Sequence, residues 1–235
     1  MNVYTFWEGP MPAYIKLCLT TWKFPFTVLN YANLAAYTDL RLESLATRFP
    51  LAQVADCVRV HVLRDNGGIW LDADTIMLTD RLPDATILGD PEVRTNTIGF
   101  LRAEKGNEFF KEWAAFQDEV IADHRIQYHW AMVGNRFTDE YLAAHRDVKI
   151  GRIDDYWPET YMVEGNATRF AKYVQFYFAR QNHLSDLKPV DMLMLHNSWT
   201  PQWYKDMSEA EILDHRCTLS NILREVCQQN DNQLD

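Results

Sequence analysis

The sequence predicts an α/β sandwich with a mainly parallel central sheet. Short apolar runs of the strand type alternate with helical patterns along the 235 residues. The most distinct strand also follows directly on the most distinct helix. This alternation is typical of parallel strands that are joined by helical crossovers. Such sheets bind ligands beyond the carboxyl ends of their strands, so polar residues at strand ends are the first candidates for a site.

The first thirty residues predict a strand, a helix and a second strand. Val3 to Trp7 is a short apolar and aromatic run that ends at a Gly-Pro turn, as expected of a first strand. Pro12 lies near the start of a helix, where proline is tolerated. Phe26 to Leu29 is the second short apolar run, and we predict a strand there.

Residues 51–66 form the clearest helix in the sequence. Apolar residues recur at spacings of three and four and form one stripe: Leu51, Val54, Ala55, Val58 and Val62. Asn66-Gly67-Gly68 ends this helix, because glycine tolerates the left-handed conformation that closes a helix. A buried strand is predicted to follow at once over Ile69–Leu78, interrupted by two aspartates.

The rest of the chain continues the alternation of strands and helices. The further predicted elements are strands at Thr86–Leu88 and Thr97–Leu101, a helix over Asn107–Asp123 and a strand at Met192–Leu195. The tail from Ser208 to Gln228 predicts one helix, and Glu211 completes a capping box with Ser208 at its start.

Composition and charge narrow the class of protein. Apolar residues make up 47 % of the chain, which is enough for a folded core and argues against disorder. No apolar run approaches the roughly 18 residues that span a bilayer, and the N-terminus lacks the basic start of a secretory signal, so we expect a cytoplasmic protein. The net charge of −10 argues against unaided binding of duplex nucleic acid. An acidic protein can still bind an anionic nucleotide when a divalent cation carries the positive charge.

The cysteines give little sign of disulfide or zinc chemistry. The sequence contains Cys18, Cys57, Cys217 and Cys227, and no two of them form a CxxC pair. We therefore expect reduced thiols in the core.

Asp72 and Asp74 interrupt the apolar run after the Gly-Gly turn. Burying two carboxylates in an apolar strand is costly unless something neutralises them. Residues i and i+2 of an extended strand point the same way, so both carboxylates can face one ligand. Oxygen ligands that converge on one point suit Mg²⁺ or Mn²⁺, either of which can bridge to phosphate oxygens.

Asp56 and Arg59 lie three residues apart on the preceding helix and therefore share a face. One interpretation is a surface ion pair with little effect on stability. The other interpretation is that both side chains point from the helix toward the ligand of the strand. The spacing alone leaves both open.

The run from Ala55 to Asp74 resembles the signature of a glycosyltransferase group (family 32-like) that includes capsular polysaccharide synthesis proteins, yeast-type initiating mannosyltransferases and clostridial glucosylating toxins. That signature is Ala/Ser-Asp-x-x-Arg on a helix, a Gly-Gly turn, an aromatic residue and Asp-x-Asp, and this chain has each element in order. The strand Val3–Trp7 resembles the group's first strand, and Leu195-His196-Asn197-Ser198-Trp199 resembles its closing His/Trp segment. The resemblance is strong over residues 1–110 and 190–204 and thin between them.

The resemblance implies a GT-A fold, that is, a single nucleotide-diphospho-sugar transferase domain over residues 1–235. Residues 1–110 would bind the nucleotide sugar and the metal, and residues 111–190 would form the acceptor side. Residues 191–235 would supply a closing strand or flap and the C-terminal helix.

The resemblance also implies the residues that bind the donor. Phe6 and Trp7 would lie at the nucleotide, with Trp7 stacked on the base. Trp70 would pack beside the ribose or the sugar. Asp56 and Arg59 would hold sugar hydroxyls and act as catalytic residues.

The implied metal is Mn²⁺ or Mg²⁺. Asp74 would bind it directly, and Asp72 would bind it directly or through water. His196 would be the third protein ligand, although the toxins have an acidic residue near that position. Ser198 or Trp199 would contact the diphosphate.

The acceptor side leaves two questions open. Asn96 lies either in an ordinary loop or near the transferred sugar or the acceptor. The group retains the anomeric configuration, which requires no dedicated base. If this enzyme inverted it, a carboxylate base would be needed, with Asp154, Asp155 and Asp191 as candidates.

We therefore predict a metal-dependent retaining glycosyltransferase of surface or capsular polysaccharide synthesis, with a UDP-sugar favoured over a GDP-sugar as donor. The acceptor would be a saccharide, a lipid-linked saccharide or another hydroxyl compound. Three alternatives remain: a phage-type transferase that acts on a modified nucleobase, a metal-dependent phosphohydrolase, and a non-catalytic nucleotide-sugar binding protein.

Overall fold

The computed structural model describes residues 1–41, 45–92, 94–123, 125, 131–153 and 166–231. The chain divides into two compact units. The first contains Met1–Gly9, Pro25–Asp72 and Pro83–Arg152, and the second contains Pro10–Phe24, Ala73–Leu82 and Ile153–Asp235. Each unit is therefore assembled from three separate stretches of sequence. Two interleaved units can belong to one domain, so the single domain stays a prediction.

The elements of the described residues follow in chain order. The strands are β1 (Val3–Phe6), β2 (Phe26–Leu29), β3 (Gly68–Leu71), β4 (Thr75–Met77), β5 (Ile87–Asp90), β6 (Thr95–Ala103), β7 (Ile150–Arg152) and β8 (Met192–Met194). The α-helices are α1 (Ala13–Thr20), α2 (Leu51–Asn66), α3 (Glu108–Ala122), α4 (Asn135–Ala144), α5 (Asn166–Val174), α6 (Gln202–Lys205), α7 (Glu209–Asp214) and α8 (Thr218–Asp231).

The first unit contains a six-stranded sheet in the order β2-β1-β3-β6-β5-β7. Strand β1 pairs in parallel with β2 and with β3, and β5 pairs in parallel with β7. Strand β6 runs antiparallel to both of its neighbours, β3 and β5. The predicted α/β class with a mainly parallel sheet is confirmed, and the long β6 is the strand that reverses direction.

The core of the first unit lies between this sheet and helices α2 and α3. The predicted apolar stripe of α2 is buried at its valines, and Val54, Val58 and Val62 are each 0 % exposed. Trp113 of α3 is also fully buried and stacks on Phe137 with ring centroids 5.8 Å apart. Burial of such side chains stabilises the fold by roughly 1.5–3 kcal/mol each. The helix that carries Asp56 and Arg59 is therefore held firmly against the sheet.

The second unit contains an antiparallel pair formed by β4 and β8, in which Thr75 lies opposite Met194. The indole N–H of Trp22 donates to the Thr75 carbonyl at 2.8 Å. Helix α1 and this strand are further joined by Thr21, whose hydroxyl accepts from the Met77 N–H at 2.8 Å. These bonds fix the strand that begins directly after Asp74.

The predicted continuous strand over Ile69–Leu78 is wrong. Two strands stand in its place, β3 and β4, which belong to different sheets. The Asp72 N–H donates to the Gly99 carbonyl and so ends the ladder with β6. The Asp74 carbonyl accepts from the Leu195 N–H and so begins the ladder with β8. The chain therefore changes sheets at Ala73. The residues before Ala73 pair with β6, and the residues after it pair with β8.

The predicted single helix over Ser208–Gln228 is also wrong. The capping box of Ser208 and Glu211 is confirmed, but α7 ends at Asp214 and α8 begins at Thr218. The Thr218 N–H donates to the Arg180 carbonyl at 2.8 Å. This tertiary bond replaces the bond that a continuous helix would have made.

The other predicted elements are present, with ends that differ by at most two residues. The four thiols are free, and Cys18, Cys57 and Cys217 are buried, as expected of core cysteines. Among the described residues, no helix has both the length and the apolar character that are needed to cross a membrane.

Candidate active site

Arg59 joins the two motif carboxylates of the first unit. Its Nη2 lies 3.0 Å from Oδ1 of Asp56, and its Nη1 lies 3.2 Å from Oδ1 of Asp72. Nη1 also donates to the Ile98 carbonyl of β6 at 2.5 Å. The residue is 5 % exposed, so these contacts form in a setting where water screens them little. The interpretation of Asp56 and Arg59 as a surface ion pair is therefore wrong.

Trp70 supports the same constellation from β3. Its indole N–H donates to Oδ1 of Asp72 at 2.7 Å, and its ring lies under the Arg59 guanidinium at 5.1 Å. A guanidinium stacked on an indole is stabilised by the ring's electron density. Trp70 is 1 % exposed, so in this structure it holds Asp72 and Arg59 in place and has no open face for a ribose or a sugar.

Asp56 lies in a setting that disfavours its charge. The pKa of Asp56 is raised to about 6. Burial is the main cause, the Asp72 carboxylate adds to it, and the Arg59 guanidinium partly offsets both. The carboxyl is still mainly ionised at neutral pH. A carboxylate whose charge is only partly offset is a strong acceptor for the hydroxyl of a ligand.

Asp72 accepts on one oxygen only. Both hydrogen-bonding contacts of its side chain, from Arg59 and Trp70, fall on Oδ1. Within the described part of the chain, Oδ2 therefore has no protein donor. The side chain is 33 % exposed, so this oxygen is available to a ligand or a cation.

The predicted base-binding residues lie at the end of β1. Phe6 is 7 % exposed and packs on Tyr31 with ring centroids 5.9 Å apart, so it belongs to the core. Trp7 is half-buried, and its main-chain N–H donates to the Leu29 carbonyl at 2.9 Å. The next residue, Glu8, accepts from the Tyr31 N–H at 2.7 Å. Of the two aromatic residues, only Trp7 has exposed surface with which to stack on a base.

Asn96 lies at the start of β6 and is not part of a loose loop. Its side-chain N–H donates to Asp139 at 2.9 Å, and its side-chain oxygen accepts from the Thr138 hydroxyl at 2.8 Å. Both partners belong to α4. Asn96 therefore joins β6 to α4, and it is half-buried.

Asp74 lies in the second unit, at the start of β4. Its Oδ2 accepts from the Asn197 N–H at 2.8 Å. The Asn197 side chain in turn accepts from the Tyr14 hydroxyl at 2.5 Å. The sequence analysis named the closing segment that contains Asn197 but gave Asn197 no role, and it did not predict Tyr14, which lies 183 residues from Asn197.

The closing segment of the second unit carries His196, Ser198 and Trp199. The His196 and Trp199 rings lie 4.1 Å apart, and the His196 N–H donates to the Tyr173 hydroxyl at 3.2 Å. Burial lowers the pKa of His196 to about 4, and the Arg169 guanidinium lowers it further, so the imidazole is neutral at pH 7. Neutral imidazole is the form that binds metals. Ser198 is exposed and Trp199 is half-buried.

The described residues contain no group of three or more His, Cys, Asp and Glu side chains that could hold a metal ion. The three predicted ligands Asp72, Asp74 and His196 therefore do not form such a group. Asp72 belongs to the first unit, whereas Asp74 and His196 belong to the second.

Of the candidate bases for an inverting reaction, Asp191 is the one that lies among the described residues, and its surroundings give it a structural role. Asp191 is 2 % exposed, and its Oδ1 accepts from the Thr79 hydroxyl at 2.7 Å and from Arg81 at 2.8 Å. It therefore fixes the end of β4. Asp154 and Asp155 lie outside the described residues.

Arg59 of the Asp-x-x-Arg helix contacts Asp72, and this pairing fits the class of protein that the resemblance implies, the glycosyltransferases. Residues 2–143 match the family described as capsular polysaccharide synthesis protein, and the chain belongs to this family. The predicted resemblance is thereby confirmed. A search of curated proteins finds no sequence that matches the chain.

Several solved structures are similar to the chain. The galactosyltransferase LgtC in complex with donor and acceptor sugar analogues has 13 % identity and a TM-score of 0.46, over 99 % of this chain and 96 % of that one. The PaToxG glycosyltransferase has 15 % identity and a TM-score of 0.43, over 61 % and 67 %. The glycosyltransferase GlyE of Streptococcus pneumoniae TIGR4 has 13 % identity and a TM-score of 0.42, over 97 % and 63 %. Because these scores are all below 0.5, the assignment rests on the family match.

Proposed function

We propose that this protein is a metal-dependent retaining glycosyltransferase that transfers a sugar from a nucleotide-sugar donor, with a UDP-sugar favoured over a GDP-sugar. The acceptor is a saccharide, lipid-linked or other hydroxyl compound of surface polysaccharide synthesis, and the reaction takes place in the cytoplasm. The observation that carries the proposal is the buried Arg59, which joins Asp56 of the helix to Asp72 of the Asp-x-Asp segment. A surface ion pair would not need a buried guanidinium that is bound to two carboxylates.

The residues present fit a divalent cation of the Mg²⁺ or Mn²⁺ type. Such ions keep several waters and are bound in proteins by one or two carboxylates together with substrate phosphates. They therefore do not require a group of three protein ligands. Oδ2 of Asp72 has no donor among the described residues, and Asp74 is half-buried next to a closing segment with a neutral imidazole. We propose Asp74 as a direct ligand and Asp72 as a direct or water-mediated ligand, with substrate phosphates and water completing the coordination. His196 stays a predicted third protein ligand, because it does not form a group with the two aspartates among the described residues.

The mechanism follows from the charges that develop in the reaction. The bond between the anomeric carbon and the phosphate oxygen breaks, which leaves positive charge on the sugar and negative charge on the diphosphate. A bound divalent cation supplies the positive charge that stabilises the departing diphosphate. Asp56, with Arg59 fixing its orientation, accepts hydrogen bonds from the sugar hydroxyls. The acceptor hydroxyl attacks from the face that the diphosphate leaves and gives its proton to the departing phosphate, so no side chain has to act as a base.

The other assignments follow the same scheme. Trp7 stacks on the base, and Ser198 or Trp199 contacts the diphosphate. Asn96 fixes the start of β6 beside the transferred sugar. Residues 111–190 form the acceptor side, and residues 191–235 form the closing segment and the C-terminal helices.

The test is a thermal-shift titration with UDP-glucose, UDP-galactose and GDP-mannose, each with and without Mn²⁺. A ligand at about 100 times its dissociation constant adds roughly 2.7 kcal/mol of stability to the folded state. We expect one donor to raise the melting temperature only when Mn²⁺ is present. We expect Asp74→Ala to abolish that shift.

Asp80→Ala is the matched control, because Asp80 is an exposed aspartate of the same unit. It should leave the shift unchanged. Release of nucleoside diphosphate should require both the donor and a saccharide acceptor fraction. If no nucleotide sugar shifts the wild type with or without Mn²⁺, or if the protein hydrolyses a simple phosphoester without any sugar, the proposal is wrong.

A further inference from the structure

Gln117 of α3 is a buried polar residue that the proposed mechanism does not use. It is 0 % exposed and belongs to the buried face of α3. Its side-chain N–H groups donate to two main-chain carbonyls, that of Asp56 at 3.0 Å and that of Val133 at 2.6 Å. The reverse orientation of the amide would place its oxygen against two carbonyl oxygens, so the assignment of the nitrogen is firm.

The amide of Gln117 makes its hydrogen bonds through the nitrogen only. Its side-chain oxygen is buried and has no hydrogen-bond partner among the described residues. A buried acceptor without a donor destabilises a fold by roughly the desolvation cost of the group. The two hydrogen bonds from its nitrogen offset that cost, and both end on main-chain carbonyls that an apolar side chain would leave without this donor. What Gln117 provides is the link between the two carbonyls.

That link joins Asp56 to the turn that contacts its own side chain. Val133 is followed by Gly134, where a Cβ atom would lie 3.4 Å from Oδ2 of Asp56 and 2.9 Å from Cδ1 of Ile98. The turn therefore packs directly against the Asp56 carboxylate. The other carboxylate oxygen, Oδ1, is held by Arg59. Gln117 thus holds the Asp56 main chain next to the Val133-Gly134 turn, so that the turn stays packed against the Asp56 carboxylate.

We propose that Gln117 is a positioning residue for Asp56: it ties the Asp56 carbonyl to the Val133-Gly134 turn and so holds the carboxylate in the orientation that binds the donor sugar. The inference rests on the proposed function, since it assigns a use to the orientation of Asp56. A misplacement of about 1 Å in such a group is enough to lower activity substantially. Gln117 does not touch the donor itself.

The experiment is a double-mutant cycle of Gln117→Met and Asp56→Asn. It is read as the dissociation constant, with Mn²⁺, of whichever of UDP-glucose, UDP-galactose and GDP-mannose shifts the wild type. Methionine has nearly the shape of glutamine and removes both N–H groups. We expect Gln117→Met to weaken donor binding about tenfold, which corresponds to about 1.4 kcal/mol. In the Asp56→Asn background it should change the affinity less than about twofold, because a residue that acts through Asp56 has no effect without it.

Trp113→Phe is the matched control. The Trp113 indole N–H also donates to the Val133 carbonyl, at 2.9 Å, but it has no bond to Asp56. The Trp113→Phe variant should have a lower melting temperature than the wild type, without the tenfold loss of donor affinity. If Gln117→Met does not give a cooperative melting transition, Gln117→Asn serves instead, because its shorter side chain cannot reach both carbonyls.

Each outcome of the cycle has one meaning. An equal loss of affinity in both backgrounds, or no loss in either, overturns the positioning role and leaves the proposed function intact. A wild-type affinity that Asp56→Asn leaves unchanged overturns it as well, since the orientation of Asp56 then has no use. If none of the three nucleotide sugars binds the wild type, the proposed function fails and the positioning role fails with it.

Discussion

At the scale of single residues, the site depends on a guanidinium that binds in several directions at once. Arg59 contacts the carboxylates of Asp56 and Asp72 and the Ile98 carbonyl, while the Trp70 ring lies beneath it. A planar group with five donors can satisfy such a set, whereas an ammonium is a compact point charge that cannot. The identity of this residue therefore matters more than its charge.

We predict that Arg59→Lys destabilises the protein by about 2 kcal/mol, because it leaves one buried carboxylate without a partner. It should also abolish the Mn²⁺-dependent shift with the donor. The measurement is urea unfolding, followed by the thermal-shift titration.

Arg64→Lys is the comparison for this prediction. Arg64 also contacts two carboxylates, Asp39 and Asp65, both at 2.6 Å, but it lies at a surface and Asp39 is largely exposed. This change should cost less than about 1 kcal/mol and leave donor binding intact. Equal losses in the two variants would show that the buried bridge has no special role.

At the scale of elements, the glycine pair after α2 sets the path from the helix into β3. Gly67 and Gly68 have φ angles of +65° and +110°, which L side chains rarely adopt. A Cβ atom on Gly67 would lie 2.5 Å from the Lys105 nitrogen and 2.9 Å from the Glu104 carbonyl carbon, both of which are main-chain atoms. The turn therefore packs tightly against the main chain of Glu104 and Lys105. Its conformation sets the direction of β3 and the position of the aspartates that follow.

We predict that Gly67→Ala destabilises the protein by about 3 kcal/mol, from the combined cost of the positive φ and the backbone clash. Gly106→Ala should cost only about 1 kcal/mol. Gly106 has a φ of +75°, but the nearest atom to its Cβ would be the end of the Lys111 side chain at 3.7 Å. Urea unfolding measures both, and similar losses would mean that the contact with Lys105 does not matter.

At the scale of the whole molecule, stability depends on pH through buried groups with opposite effects. Burial lowers the pKa of His61 to about 4, and the nearby Arg64 guanidinium lowers it further. Folding therefore favours the neutral imidazole, and this contribution is complete above pH ~6.5 and is lost as the pH falls toward 4. Burial raises the pKa of Asp56 to about 6, so folding favours its protonated form. The contribution of Asp56 to the free energy of unfolding is therefore lost as the pH rises from ~3.9 to 6. The two effects partly cancel in the wild type.

We predict that His61→Phe removes the pH dependence that His61 contributes and leaves that of Asp56. The His61 side chain is 2 % exposed, with Asp118 at 3.6 Å. The difference in unfolding free energy between the wild type and His61→Phe should change by about 3 kcal/mol between pH 7 and pH 4, to the disadvantage of the wild type at pH 4. Urea titrations at both pH values measure it. Parallel pH curves would show that His61 titrates normally.

The sequence by itself determined the α/β class, helix α2 with its closing glycines, and the motif that identifies the family. These features are local, since a stripe at spacings of three and four or a run of twenty residues is complete in one stretch of chain. Of the motif residues, Asp56 and Asp72 both contact Arg59 in the structure, and their roles stay predictions.

Only the tertiary structure decided how the motif is held together. The split of the predicted strand at Ala73 depends on two ladders, with Gly99 and with Leu195, that no local pattern encodes. The bond from Gln117 to Asp56 spans 61 residues, and the bond from Asn197 to Asp74 spans 123. Such contacts arise because packed elements bring distant atoms within hydrogen-bond distance, and a single sequence carries no signal of which atoms will meet. The sequence therefore determined which residues form the candidate site, and the packing decided their orientation.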